Sequence, residues 1–326
     1  MKQQSIMTLV KDMRFEGYVL VRMSAQRTGN TGNKYLDLTL ADCTGELNGK
    51  LWDGNTDPPP AGSVIKVRGI TQEYNGRLQL RIEKLRPLEE TDKVDMSLLT
   101  PSAPQSAESM LAELNEVVDS ISSSPLRTIV RGMLDLYNDK LPYFPAAQRI
   151  HHAERGGLLH HTLGMLQLAK AVLPLYPQLN ADLLISGVVI HDLCKMEELD
   201  SDELGIVKDY TAAGLLLGHI SIGVTRLGEV AGKLGIQGEP LLLLQHMLLS
   251  HHGEDMYGSP RKPMFPEAEV LHWLDILDAR MNEISTALAK VPPGVFSEKI
   301  WSLERRLYQP QYDQLEQEQE PEDNVK

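Results

Sequence analysis

The feature that most constrains this fold is a change in the spacing of the apolar residues part-way along the chain. Before residue 88, apolar and polar residues alternate in short runs, as at Leu78, Leu80 and Ile82, and this period of two is typical of half-buried β-strands. Beyond residue 106, apolar residues recur three and four positions apart, which is typical of amphipathic helices. The two periods predict a β domain followed by an all-α domain, and 326 residues are enough for both.

The β half contains five runs of strand type separated by turn signals. The runs cover residues 18–28, 34–42, 45–53, 63–74 and 76–86. Asn75-Gly76, between the last two runs, is a strong hairpin signal. Five short strands in so short a segment predict a small closed β-barrel, and we expect an OB-fold over residues 12–90.

The α half follows a linker, residues 91–106, that is rich in proline, serine and threonine. We expect an all-α domain over residues 107–310. Its predicted helices cover residues 108–121, 125–138, 157–173, 181–198, 212–234, 239–252, 267–289 and 293–308. Six acidic residues and one basic residue lie within residues 313–326, so we expect an acidic disordered tail over residues 311–326.

The composition is typical of a globular chain without a membrane segment. Hydrophobic residues make up 42% and charged residues 24% of the sequence, which are ordinary values for a soluble domain. The N-terminus lacks the apolar core of a secretory signal, and no run reaches the roughly 20 apolar residues that span a bilayer. The two cysteines, Cys43 and Cys194, fall in different predicted domains and indicate neither a disulfide framework nor a zinc knuckle. We therefore expect a cytoplasmic protein with no membrane partner.

The charge of the chain is unevenly distributed. The net charge is −13, but residues 1–90 carry 13 basic and 11 acidic residues, a net of +2. Because phosphate binding depends on local patches, the acidic total does not exclude nucleic acid as a partner. An OB-type barrel binds single strands with basic and stacking aromatic side chains. The candidates here are Arg22, Lys34, Tyr35, Trp52, Tyr74, Arg77 and Arg81. In a domain this mildly basic, they are a weak signal when taken alone.

The histidines are confined to one part of the α half. All ten lie between residues 151 and 272. His161, the dipeptide His191-Asp192, His219, His251 and Asp275 follow one another at intervals of 24 to 32 residues. Each interval is long enough for one helix and a loop, so each residue can come from a different helix of one bundle. Neutral imidazole and carboxylate suit divalent metal ions, and the spacing therefore predicts a metal centre.

This H…HD…H…H…D pattern on helices resembles the HD superfamily of metal-dependent phosphohydrolases. Longer segments resemble the YhaM family of 3′–5′ exoribonucleases. They are HHAERGGLLHHT at 151–162, HDLCK at 191–195, LLGHI at 216–220, HMLLSHHGE at 246–254, GSPRKP at 258–263 and EAEVLHWLDILDARM at 267–281, with KYLDLTLADCTGELNGKLWD at 34–53 and GRLQLRIEKLR at 76–86 in the β half. The resemblance covers about residues 12–305 and places the HD core at about residues 157–282.

The resemblance implies a set of functional residues. The implied metal ligands are His161, His191, Asp192, His219, His251 and Asp275, with Asp192 shared between two ions if two bind. Asp192 and Lys195 are the implied catalytic residues, and Lys195 neutralises a phosphate. The implied cofactor is one or two divalent ions, Mn²⁺ being expected and Co²⁺ or Mg²⁺ being the alternatives. Cys194 departs from the superfamily, which commonly has glycine at this position.

The implied activity is that of a 3′–5′ exoribonuclease, which degrades single-stranded RNA to nucleoside 5′-monophosphates through a metal-activated water. Single-stranded DNA is left open as a second substrate. Two alternatives stay open. One is an HD-type phosphohydrolase of free nucleotides, dNTPs or cyclic nucleotides; the other is a non-catalytic nucleic-acid-binding protein with a structural metal site.

Several assignments are left open by the residues themselves. His252, His151 and His272 are expected beside the metal ligands or near the substrate, and either His251 or His252 can be the ligand. Asp275 is favoured over Asp278. The helical faces at residues 108–138 and 283–308 leave a homo-oligomer open as well.

Overall fold

The computed structural model describes residues 3–29, 32–53, 56–89, 91–148, 151–254 and 258–311. Within them the β half forms a closed barrel with strand order β1-β2-β3-β5-β4. The strands are β1 Arg14–Thr28, β2 Lys34–Asp42, β3 Gly45–Leu51, β4 Val64–Tyr74 and β5 Arg77–Pro87. Strands β3 and β5 pair in parallel, and the other neighbouring pairs are antiparallel. The predicted OB-fold is confirmed.

The alternation in the sequence explains the barrel core. Leu36, Leu38 and Leu40 of β2 point inward and are buried, as are Leu80 and Ile82 of β5. The intervening residues of each strand face outward, because successive side chains of a strand point to opposite faces.

The turn between β4 and β5 also follows from its sequence. Asn75 and Gly76 both adopt left-handed backbone conformations, with φ of 51° and 73°. That pair of conformations makes the two-residue turn whose twist matches antiparallel strands.

The α half forms a bundle around one apolar core. Its helices are α1 Ala107–Asp119, α2 Ser124–Asp135, α3 Gly157–Val172, α4 Ala181–Ile190, α5 Lys195–Glu198, α6 Ala212–Lys233, α7 Glu239–Ser250 and α8 Pro266–Leu288. A short hairpin, β6 Leu199–Ser201 and β7 Val207–Tyr210, lies between α5 and α6, and single 3₁₀ turns occur at Ile6–Thr8, Met96–Leu98 and Leu173–Leu175. Helix α4 is buried and packs against α2, α3, α7 and α8, so the residues at its end lie inside the bundle.

Two predicted helices differ from the structure. The helix expected over residues 181–198 is interrupted by a turn at residues 191–194, which divides α4 from α5. The helix expected over residues 293–308 is wrong: this segment folds back on itself through the bridges Phe296–Tyr308 and Ile300–Arg305. Gly294 and Glu304 adopt left-handed conformations, with φ of 80° and 55°, which a right-handed helix does not allow.

The segment between the two halves is packed against both. Leu99 and Leu204 form a small apolar cluster with Leu20, Ala41 and Val64 of the barrel. The predicted acidic tail lies outside the described residues except for residue 311. Among the described helices, none combines the length and the apolar character that crossing a membrane requires.

Candidate metal centre

Five helices bring ligand-type side chains to one point in the α half. His161 comes from α3, His219 from α6 and Asp275 from α8, whereas His191-Asp192 and His251 lie just beyond the ends of α4 and α7. None of these six side chains belongs to a residue that is more than 9% exposed. The structure therefore places together all six residues that the sequence singled out as ligands.

The Asp192 carboxylate is at the centre of this group. Its Oδ2 lies 3.3 Å from His191 Nε2 and 3.8 Å from His161 Nε2. Its Oδ1 lies 3.3 Å from His219 Nε2 and 3.6 Å from His251 Nε2. Four imidazoles thus direct the same ring nitrogen toward one carboxylate.

These atoms have no hydrogen-bond partner among the described residues. The four Nε2 atoms and both Asp192 oxygens are buried and unsatisfied. Buried polar atoms are almost always hydrogen-bonded, because leaving them without a partner is costly. Six such atoms around one carboxylate fit one or more bound cations, which would accept their lone pairs.

The other nitrogen of each imidazole fixes the ring orientation. His191 Nδ1 donates to the Val188 carbonyl and His251 Nδ1 to the Leu248 carbonyl, both over 2.8 Å. Each acceptor lies three residues earlier, at the end of a helix, where carbonyl groups have lost their helical partners. With the proton on Nδ1, the Nε2 lone pair is available to a cation.

The remaining two imidazoles are oriented by carboxylates. His161 Nδ1 donates to Asp278 Oδ2 over 2.7 Å, and His219 Nδ1 lies 3.1 and 3.0 Å from the two Glu198 oxygens. Asp275 Oδ1 lies 3.3 Å from His161 Nε2, on the side of Asp192. Asp278 therefore contacts the His161 nitrogen that points away from Asp192, and Asp275 lies near the nitrogen that points toward Asp192.

Glu198 holds the candidate ligand His219 in place, a contact that the sequence did not predict. It also accepts a hydrogen bond from the His219 backbone N–H over 3.0 Å. Burial raises the pKa of Glu198, but the hydrogen bonds and charge of His219 together with the charge of Lys195 outweigh burial and leave the pKa below its ordinary value. No local pattern joins residues that are 21 positions apart, so only its place next to HDLCK was a signal.

Lys195 places a positively charged side chain at this site. Its Nζ lies 2.7 Å from Asp192 Oδ2, an ion pair without hydrogen-bond geometry. Burial opposes the charge on both partners, yet Lys195 holds the pKa of Asp192 well below its ordinary value and Asp192 raises that of Lys195. Both groups are therefore charged at neutral pH.

The ligand atoms form two groups that share Asp192. His161, His191 and Asp192 make one, and Asp192, His219, His251 and His252 make the other; within each, all ligand atoms lie within 4.8 Å of one another. Burial lowers the pKa of His252 to about 3, which keeps its ring neutral as a metal ligand must be. The arrangement fits one or two ions and places His252 beside His251 rather than instead of it.

The other candidate histidines lie around this centre. The His151 ring lies 6.0 Å from that of His161, and burial lowers its pKa to about 3. His272 Nδ1 donates to the His251 carbonyl over 2.7 Å, so it positions the backbone of a candidate ligand. His246 accepts from the backbone of Met264 over 3.1 Å, away from both groups.

Cys194 does not distort the turn after α4. Its φ is −77° and ψ 0°, which an L-residue adopts without the freedom of glycine. Its buried Sγ lies 3.2 Å from the Tyr137 hydroxyl.

A cleft of about 670 Å³ leads from the surface to this centre. Lys195, His219 and Glu198 line its inner part, while Tyr210 and Trp301 line it from two separate hairpins. Its volume is within the roughly 300–1,000 Å³ of small-molecule sites.

Three aromatic candidates and a lysine form one face of the barrel. The rings of Tyr35 and Trp52 stack with centroids 4.6 Å apart. Lys50 Nζ lies 5.2 Å from the Tyr35 ring and 5.6 Å from the Tyr74 ring. Trp52 is 54% and Tyr74 60% exposed, so this face offers aromatic surface and positive charge to a single strand.

The strand register places some of the basic candidates near this face and others away from it. Arg77 pairs with Tyr74 and Arg81 pairs with Lys50 in the strand register. Lys34 directly precedes Tyr35 in β2, so its side chain points to the other side of the strand. The β1–β2 register places Arg27, not Arg22, opposite Tyr35. Arg22 instead faces Glu46 at 3.8 Å, so the structure does not bring it to this face.

Comparison with known proteins gives both halves a family. Residues 158–280 match the family model of the HD domain, and residues 15–88 match that of an OB-fold nucleic acid binding domain. The second OB-fold domain of replication protein A from Methanococcus maripaludis is a structural neighbour at 18% identity and a TM-score of 0.24, covering 28% of this chain and 100% of that one. The barrel assignment rests on its own strand order and on the family model.

Two curated relatives match along nearly the whole chain. The 3′–5′ exoribonuclease YhaM of Geobacillus sp. (strain WCH70) is 41% identical over 294 residues, 89% of this chain and 90% of that protein. The 3′–5′ exoribonuclease YhaM of Bacillus subtilis (strain 168) is 38% identical over 299 residues, 90% of this chain and 94% of that protein. The resemblance seen in the sequence is confirmed, and the chain belongs to the YhaM family.

Proposed function

We propose that this protein is a divalent-metal-dependent 3′–5′ exoribonuclease that releases nucleoside 5′-monophosphates from single-stranded RNA. The observation that carries the metal-dependent part is the group of six buried, unsatisfied atoms around Asp192. The names of the curated relatives support the 3′–5′ direction of degradation and the RNA substrate. The exposed aromatic face of the barrel supports binding of a single strand.

The proposed ligands are His161, His191, Asp192 and Asp275 for one ion and Asp192, His219, His251 and His252 for a second. Imidazole nitrogen together with carboxylate oxygen favours first-row divalent ions, and we propose Mn²⁺, with Co²⁺ and Mg²⁺ as the alternatives to be measured. When bound, such ions supply Lewis acidity toward phosphate and a water of lowered pKa.

The chain itself contributes charge, orientation and a dry environment. Lys195 is charged and borders the cleft, where it can bind a non-bridging phosphate oxygen of the scissile bond. His161, His191 and His251 are at most 1% exposed, so water reaches the centre from the cleft side. Low solvent access strengthens the electrostatic interactions at the phosphate.

The test uses a 5′-labelled single-stranded RNA with Mn²⁺. We expect a ladder that shortens from the 3′ end with the wild-type protein and with His246→Ala, a histidine outside both ligand groups. The ladder should disappear with His191→Ala/Asp192→Ala and after addition of EDTA. An RNA left intact by the wild-type protein across Mn²⁺, Co²⁺ and Mg²⁺ would overturn the proposal.

A free-nucleotide phosphohydrolase is the second candidate, because the cleft volume of about 670 Å³ also suits a single nucleotide. The barrel face distinguishes the two. Tyr35→Ala/Tyr74→Ala should slow an exonuclease on long strands and leave hydrolysis of dNTPs or cyclic nucleotides unchanged. A wild-type protein that hydrolyses those nucleotides and spares RNA would be a nucleotide phosphohydrolase.

A further inference from the structure

Trp301 is the most exposed large apolar side chain in the described part of the molecule. It is 86% exposed and lies in the segment that folds back on itself after α8. Tryptophan carries the largest aromatic surface of the natural residues, and leaving it in water forgoes the favourable free energy of burying that surface. A side chain of this type, held in solvent, is available to stack against a ligand.

The backbone around Trp301 is well held. The hairpin is closed by hydrogen bonds from Gly294 N–H to the Gln309 carbonyl over 2.8 Å, from Ser297 N–H to the Leu307 carbonyl over 2.7 Å and from Ile300 N–H to the Arg305 carbonyl over 2.9 Å. Trp301 begins the turn at the tip, and its carbonyl accepts from the Glu304 N–H over 3.2 Å. The exposure is therefore built into a hydrogen-bonded turn.

The hairpin tip forms part of the cleft. Trp301 and Ser302 line the same cavity as Lys195 and His219, the two residues that connect it to Asp192. The Ser302 hydroxyl donates to the Glu283 carboxylate of α8, which ties the tip to the bundle.

A second aromatic side chain and a second cation lie in the same cleft. Tyr210, at the end of β7, is 40% exposed and lines it from another hairpin. Lys290, just beyond α8, also lines it. The cleft thus combines two aromatic rings and two lysines, which are groups that recognise base and phosphate, with His219, one of the candidate metal ligands.

We propose that Trp301, with Tyr210, is the stacking site for the bases at the 3′ end of a single strand whose phosphates lie toward Lys195 and the metal centre. The proposal rests on the proposed function and adds to it a subsite that reads the presence of a base without reading its identity. Every base has an aromatic face, so stacking is tolerant of sequence. A terminal nucleotide of any type is bound, and one that lacks its base is bound poorly.

The first test compares two strands and two variants. The strands are a 5′-labelled single-stranded oligonucleotide and the same strand with an abasic 3′-terminal nucleotide. We expect the wild-type protein to prefer the complete strand in kcat/KM by about tenfold or more, in line with the loss of one stacked base. Trp301→Ala should lose this preference. Trp273→Ala should keep it, because Trp273 is 57% exposed and bonded to Glu269 on α8, outside the cleft lining.

The second test does not depend on catalysis. Trp52→Phe/Trp273→Phe leaves Trp301 as the remaining tryptophan of three. In EDTA, adenosine 5′-monophosphate should change its fluorescence in a saturable way, whereas ribose 5-phosphate should not. If the wild-type protein digests neither strand, the proposed function fails, and the titration alone decides whether the stacking site exists.

Two outcomes would overturn the stacking site. One is a Trp301→Ala variant that retains the preference for a terminal base, together with a fluorescence of Trp301 that does not respond to the nucleotide. The other is a Trp301→Ala variant whose sedimentation shows a smaller oligomer than the wild-type protein, which would identify a second copy of this chain as the partner that covers the ring.

Discussion

Two adjacent glutamates of α5 allow a direct test of how the metal centre is held. Glu198 accepts hydrogen bonds from the side chain and the backbone N–H of His219. Glu197 instead accepts from the Tyr137 hydroxyl over 2.6 Å and from two nitrogens of Arg226 over 2.8 Å. The substitutions Glu198→Ala and Glu197→Ala remove the same atoms from neighbouring positions, but only the first releases a candidate ligand.

The expected magnitude follows from the geometry of His219. Without Glu198, the imidazole loses the acceptor that fixes its proton on Nδ1 and its Nε2 toward Asp192, 3.3 Å away. Loss of such an orienting partner typically weakens metal binding by about 10- to 100-fold, or about 1.4–2.7 kcal/mol. Glu197→Ala breaks charge-assisted bonds to Arg226, so it should lower the melting temperature without weakening metal binding.

Isothermal titration of the metal-free protein with Mn²⁺ measures these affinities, and the melting temperature of each metal-free variant shows whether the fold is intact. The expected result is weaker Mn²⁺ binding in Glu198→Ala and unchanged binding in Glu197→Ala. A Glu198→Ala variant that binds Mn²⁺ like the wild-type protein would refute the reasoning. Equal weakening by both substitutions would do so too, because it would trace the effect to α5 as a whole.

Three further predictions concern the charge of Lys195, the barrel and the two thiols. Lys195→Met should lower kcat on RNA by about 10²- to 10³-fold, as the loss of one charge-stabilising group does. The variant should still bind Mn²⁺ at least as tightly as the wild-type protein, because the charge of Lys195 repels the ion from Asp192. Weaker Mn²⁺ binding in the titration would contradict this reasoning. Gly69→Ala should destabilise the barrel by about 1–3 kcal/mol in urea unfolding, since the added Cβ would lie 2.3 Å from the Arg81 carbonyl oxygen; unchanged unfolding would show that β4 and β5 can separate there. Burial raises the pKa of the Cys194 thiol to about 12 from 9.0, so at pH 8 a disulfide reagent should titrate the exposed Cys43 alone until the protein unfolds. Because the folded-state pKa is the higher one, the contribution of this thiol to stability is full below pH 9.0 and is lost as the pH rises toward 12.

Much of the barrel was predictable because its signals are local. The alternation at Leu78, Leu80 and Ile82 decides which side of β5 faces inward, and Asn75-Gly76 decides where the chain reverses. The helix predicted over residues 293–308 is wrong because it also rested on a local signal. Its apolar spacing suits a helix, but the left-handed conformations of Gly294 and Glu304 and the cross-bridges of the hairpin prevail.

The candidate site divides in the same way. The sequence by itself determined that His161, His191-Asp192, His219, His251 and Asp275 come from separate helices, because helical periodicity and loop spacing are written along the chain. Only the tertiary structure decided which atoms meet. The packing of the helices turns four Nε2 atoms toward Asp192. It also brings Asp278 to Nδ1 of His161, Glu198 to Nδ1 of His219 and Trp301 into the cleft. Contacts between such distant residues depend on how whole elements pack and not on any local pattern.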